Sequence, residues 1–192
     1  MSVSDRGPCL AWRHPRPDGA AGRCVGAGTD LPVDPRRAKR LAHRIRRTAR
    51  HAGLPRVVAT SPLHRCADVG RWLRRWGWRH VVDAGLREVD FGRWDGQRWD
   101  TVGQPAVDAW CADFAHHAPG GGESLQALLH RVRAWHPPPG CRVLVTHGGW
   151  LLARHWLDTH GAGELPTAAT WPAAPPYGAC VALAEPVGAA PG

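Results

Sequence analysis

Arg142-Val143-Leu144-Val145-Thr146-His147-Gly148-Gly149 decides how the chain is read. A short apolar run ends abruptly at a histidine and two glycines. That is the signature of a buried strand leaving a sheet. A second run of the same kind stands near the other end of the chain, at Cys9-Leu10-Ala11-Trp12-Arg13-His14-Pro15. In open α/β sheets, ligands bind beyond the carboxyl ends of the strands. Two strands ending there would bring His14 and His147 to one site. Imidazole serves near neutral pH as nucleophile, base or hydrogen-bond donor.

The pattern between these strands alternates. After Cys9–Trp12 comes a glycine-rich loop from Gly19 to Pro32. Ala38, Leu41, Ala42, Ile45 and Ala49 recur at helical spacing within Pro35–Ala52, and Gly53 stops that helix. Val57–Ala59 reads as a strand. Ser61 as N-cap with Pro62 at the first helical position predicts a helix running to about Trp76. Val81 and Val82 suggest another strand, Pro105–Phe114 and Ser124–Trp135 further helices, and Ala179–Ala184 a last strand. A helix is expected from about Trp150 to Leu157 after the Val143–Val145 strand. The expected fold is α/β, a three-layer sandwich with a mostly parallel central sheet and helices on both faces. Residues 1–192 are expected to form a single domain, with its core over about 9–184 and a disordered tail from Pro186.

Composition narrows the classes. The chain of 192 residues carries a net charge of +9, almost all of it from arginine, since Lys39 is the only lysine. A positive balance favours an anionic partner. The six cysteines are scattered without paired spacing, which fits a reducing, cytoplasmic setting better than a disulfide framework. No apolar run approaches the ~20 residues of a membrane span, and Met1–Pro8 has no signal-peptide core.

Three further residues are candidates for chemistry. Arg13 beside His14 makes a poor packing pair but a good oxyanion clamp. Arg65, in Ser61-Pro62-Leu63-His64-Arg65-Cys66, would project from the first turn of a helix whose N-terminus faces the same sheet edge. Glu88 lies in Leu86-Arg87-Glu88-Val89-Asp90-Phe91-Gly92-Arg93-Trp94-Asp95-Gly96, an aromatic and glycine-rich setting that suits a carboxyl of raised pKa. Plainer roles stand beside each: a strand-end histidine bonded to backbone, a solvated arginine, a loop carboxylate paired with a neighbour. His116, His117 and His160 suit surface or structural roles, and no metal-ligand spacing is readable.

Taken together, Arg13-His14, Ser61-Pro62-Leu63-His64-Arg65, the Glu88 stretch and the His147-Gly148 strand end resemble the histidine phosphatase superfamily, with its phosphoglycerate-mutase-like fold. All four segments occur in family order over about residues 9–184. Pro15 replaces the glycine usual in the family, which removes a backbone N–H. Gly22-Arg23-Cys24-Val25-Gly26 with Thr29-Asp30-Leu31-Pro32 is similar to the α-ribazole phosphatases within that superfamily. So is Ala109–Phe114 with Pro119-Gly120-Gly121-Gly122-Glu123-Ser124.

The resemblance implies phosphomonoester hydrolysis through a phosphohistidine, with α-ribazole 5′-phosphate as the expected substrate in cobalamin biosynthesis. It implies His14 as nucleophile, Glu88 as acid and base, and Arg13, Arg65 and His147 on the phosphoryl oxygens. It implies no cofactor and no metal. The expected partner is a small phosphorylated molecule, with a homodimer allowed and no membrane. Alternatives are a broad-specificity small-molecule phosphatase and an inactive binding module of the same fold. The basic stretch Arg36–Arg50 offers a third, nucleic-acid binding, although its arginines equally suit a solvated face; nucleic acid is not the expected partner.

Overall fold

The computed structural model describes residues 9–161 and 163–184. The tail expected from Pro186 lies outside the described residues. One five-stranded sheet forms the centre, built from β1 (Cys9–Arg13), β2 (Val57–Thr60), β3 (Arg79–Val82), β4 (Val143–Thr146) and β5 (Cys180–Leu183). Its order is β3-β2-β4-β1-β5. The first four strands are mutually parallel, and β5 runs antiparallel along β1. This is the mostly parallel α/β sheet anticipated from the alternating pattern.

Strand alternation sends side chains to two cores. Ala11, Ala59 and Leu144 face the layer of α5 (Leu125–Ala134) and α6 (Gly148–His160). Trp12, Val58, Val143 and Val145 face the layer of α1 (Pro35–His51) and α2 (His64–Arg75). The period of two puts apolar residues on both faces, so the strands read as continuous apolar runs. The α1 stripe is the expected one: Ala38, Leu41, Ala42, Ile45 and Ala49 are all buried. Asp34 caps its N-terminus, accepting from Arg36 N at 2.6 Å, with Pro35 at the first turn.

Two helix starts differ by two residues from the sequence expectation. Helix α2 begins at His64, not after Ser61, because Ser61 Oγ accepts from Leu63 N at 3.3 Å and closes a local turn first. Helix α6 begins at Gly148, two residues earlier than expected, directly on the strand end. Helices α3 (Trp99–Val102) and α4 (Gln104–Ala112) pack beside the Phe91 and Trp94 rings and complete the fold near the acidic loop. Among the described residues, no helix is long and apolar enough to cross a membrane.

Candidate active site

Register explains why the two histidines meet. Strands β1 and β4 are neighbours, and Arg13 lies opposite Thr146. His14 and His147 therefore leave adjacent strands one residue past the last pair, with His14 N donating to Thr146 O at 3.0 Å. Their rings meet edge to face, with centroids 5.0 Å apart and planes 62° apart. Both are buried.

Hydrogen bonds assign their tautomers. His14 Nδ1 lies 2.7 Å from Pro15 O, which can only accept, so Nδ1 carries the proton. The Nε2 lone pair is left free. This contact uses the carbonyl of Pro15, so loss of the amide does not disturb it. At His147 the roles reverse: Nδ1 accepts from Arg65 Nε at 3.2 Å, which leaves the proton on Nε2. Cys66 Sγ sits 3.4 Å from that Nε2. Burial, Arg65 and Arg13 all hold His14 well below its ordinary pKa, although the bond to Pro15 opposes them. Burial and then the neighbouring His14 and Arg65 do the same for His147. Both rings are neutral near pH 7.

Arg65 departs most from its plain reading. Far from being solvated, it is 0% exposed. Its NH1 donates to Thr29 O at 2.5 Å and its NH2 to Gly26 O at 2.8 Å. The loop 26–29 is held in turn by Asp95, which accepts from Gly26 N at 2.6 Å, Gly28 N at 3.0 Å and Thr29 Oγ1 at 2.8 Å. Among the described residues, neither Arg65 nor Arg13 has a carboxylate within ion-pair distance. Burying a cation against carbonyl dipoles and an imidazole alone is costly. An incoming anion would relieve that cost.

Glu88 reaches the site from β3 through a 3-10 turn at Ala84–Leu86. Arg131, on α5, fastens this approach by donating to Gly85 O, Arg87 O and Glu88 O, while its other side pairs with Glu123 at 2.8 Å. Thr146 Oγ1 adds a bond to Leu86 O at 2.8 Å. The Glu88 carboxyl is buried and accepts from Val89 N at 3.1 Å. Burial raises its pKa above the ordinary carboxylate value, and Arg65 pulls the other way. It lies over the first turn of α6: a Cβ added to Gly149 would sit 2.5 Å from Glu88 Oε1. Gly149 is thus the residue that leaves room for the carboxylate.

All five residues singled out in the sequence converge here. Asp95, Arg131 and Tyr177 were not singled out, though each supports the site. His116 and His160 are exposed, His117 is half-buried, and His160 stacks on Trp156 with centroids 3.8 Å apart. Among the described residues, no group of three or more His, Cys, Asp or Glu side chains is placed to hold a metal ion. On the basic face of α1, Lys39 and Arg46 lie over the Trp72 and Trp76 rings.

Comparison with known proteins fits this geometry. The profile of the histidine phosphatase superfamily (branch 1) matches residues 9–164, and the chain belongs to that superfamily. No curated protein matches the sequence significantly. Among solved structures, a mycobacterial glucosyl-3-phosphoglycerate phosphatase in complex with VO3 is similar at a TM-score of 0.70 and 25% identity, covering 91% of this chain and 90% of that one. The α-ribazole phosphatase from Shigella flexneri shares the fold at a TM-score of 0.69 and 22% identity, covering 92% and 89%. A protein from Thermus thermophilus matches at a TM-score of 0.63 and 26% identity, covering 92% of both chains.

Proposed function

We propose that the protein hydrolyses phosphomonoesters through a phosphohistidine. The observation that carries this reading is a neutral His14, its Nε2 lone pair free, beside two guanidinium groups that have no carboxylate partner among the described residues. In the first step the His14 Nε2 lone pair forms a bond to phosphorus as the ester P–O bond breaks. Glu88, whose protonated form burial favours, gives its proton to the leaving oxygen. Arg13, Arg65 and the His147 Nε2–H stabilise the equatorial oxygens, where charge concentrates in the transition state. A phosphoryl oxygen is a far stronger acceptor than the Cys66 sulfur now beside that N–H. In the second step the Glu88 carboxylate takes a proton from water. The water oxygen then attacks phosphorus, the P–N bond breaks, and inorganic phosphate leaves.

Two substrates compete for the finer reading. The loop around Cys24 and the segments Ala109–Phe114 and Pro119–Ser124 support α-ribazole 5′-phosphate. The structural likeness to the glucosyl-3-phosphoglycerate phosphatase supports a phosphorylated sugar acid. A broad-specificity phosphatase remains the alternative to both. The test is a panel of α-ribazole 5′-phosphate, glucosyl-3-phosphoglycerate, sugar phosphates and phosphoglycerates ranked by kcat/KM. His14→Ala should abolish turnover while the protein stays folded, and rapid quenching of wild type with labelled substrate should trap acid-labile, base-stable phosphate. A folded His14→Ala variant retaining a tenth of wild-type kcat removes His14 as nucleophile. Absence of turnover across the panel, with phosphate still bound, favours a binding module.

A further inference from the structure

Among the described residues, Arg13 has no counter-charge within ion-pair distance. Its guanidinium carbon lies 3.9 Å from the centroid of the Tyr177 ring. Its NH1 donates to Pro175 O at 2.7 Å, and its Nε is buried with no hydrogen-bond partner among the described residues. Tyr177 also reaches the other half of the site, its ring centroid 5.4 Å from that of His14.

The tyrosine belongs to a strap, residues 171–177, that is anchored at both ends. Trp171 packs against Phe114 and Trp156 in the core. At the other end Gly178 N donates to both Arg13 O and His14 O, at 3.0 and 3.2 Å. Between them, Ala174 covers Gly148 at the start of α6. The strap thus lies along the nucleophile strand end, yet Tyr177 stays 40% exposed. One face of its ring is against the guanidinium, and part of the ring is open to solvent.

We propose that Tyr177 is a positioning residue of the phosphate site. Its ring clamps one face of the Arg13 guanidinium and so holds the in-plane N–H groups that the strap leaves uncovered in position for a phosphoryl oxygen. This rests on the phosphatase reading above. An arginine has many rotamers to lose before it can bind an anion in one geometry. A carboxylate could hold it, but would compete with phosphate for its charge. An aromatic face holds it through the plane and leaves the in-plane N–H groups available. Such a device suits a cation that must be ordered yet remain electrostatically unsatisfied until substrate arrives.

The experiment compares Tyr177→Phe and Tyr177→Leu in the full chain, each alone and with Arg13→Met. The readouts are kcat/KM on phosphomonoesters, the affinity for inorganic phosphate by calorimetry, and thermal midpoint. Tyr177→Phe keeps the ring and should stay within about twofold of wild type. Tyr177→Leu should lose about 3- to 30-fold in both kcat/KM and phosphate affinity, the range of a cation–π contact. That loss should vanish in the Arg13→Met background, because the tyrosine acts through the arginine. Should Tyr177→Leu fail to fold, Tyr177→Met serves the same purpose. The proposal is overturned if the leucine variant matches wild type, if the phenylalanine variant falls as far, or if the loss persists without Arg13. An active wild type with an indifferent leucine variant sinks this inference alone. A wild type that neither hydrolyses phosphomonoesters nor binds phosphate sinks the phosphatase reading with it.

Discussion

Gly149→Ala should silence the acid while leaving the fold in place. Gly149 is the second residue of α6, where alanine would ordinarily stabilise a helix by about 1 kcal/mol. Here the added Cβ would meet Glu88 Oε1 at 2.5 Å and Val89 Cγ2 at 2.7 Å. Ordinary contact begins near 3.4 Å, so the carboxylate must retreat by about 0.9 Å. Overpacking of this kind costs about 1–3 kcal/mol, and the helix gain offsets part of it. A net loss of stability of no more than about 2 kcal/mol follows. Activity should suffer far more, because a ~1 Å misplacement of a reacting group can cost about 10²-fold. The loss should fall on alkyl phosphates, whose leaving oxygen needs a proton. Aryl phosphates, with weakly basic leaving groups, should be largely spared. Single-turnover phosphorylation rates on both substrate types, with a thermal melt as control, make the assay. Equal rates of variant and wild type on the alkyl ester would refute the placement of Glu88 as acid. Equal slowing of both substrates would show instead that the methyl group intrudes on the phosphoryl site.

Three other outcomes are expected. Glu88→Gln should lower single-turnover rates on alkyl phosphates by about 10²–10⁴-fold, the usual worth of general acid help, with much less effect on aryl phosphates; Asp90→Asn measured alongside checks for a substitute acid. The pH profile of kcat/KM should have its acid limb below the ordinary imidazole value of 6.5, because His14 must be neutral to attack and burial lowers its pKa. Its alkaline limb should lie above the ordinary carboxyl value of 4.5 and vanish in Glu88→Gln, because the acid must be protonated and burial raises its pKa; an acid limb at or above 6.5 contradicts this. Leu144→Ala, at a fully buried position in the central strand, should cost about 2–5 kcal/mol in urea unfolding, and a loss under about 1 kcal/mol would argue against the register of β4.

Much of this site is legible in the sequence. Strand ends are legible because an apolar run stops at a turn former, and that placed His14 and His147. Arg65 was legible through the helix start at Ser61-Pro62, even though the helix begins two residues later. The residues that support the site were hidden for physical reasons. Arg131 sits on an amphipathic helix among many arginines, and only tertiary structure turns it toward the carbonyls of Gly85, Arg87 and Glu88. Asp95 is one of three acids in a loop, and its grip on residues 26–29 spans nearly seventy positions. Tyr177 lies in a stretch of Pro and Ala without periodicity, so nothing local announces that its ring meets Arg13.

The position of β1 in the sheet also sets the order of assembly. The strand leads directly into His14, yet its two neighbours are β4 and β5, which follow it by roughly 130 residues or more. Contacts of such long sequence separation form slowly. A nascent chain emerging from the ribosome can pair β2 with β3 and dock α1 on α2, but β1 must wait with both edges bare. Unpaired edges invite association with other chains. The contact between His14 and His147 therefore comes into being only after β4 has paired with β1, and a chain truncated before residue 143 would lack it and display a sticky strand instead.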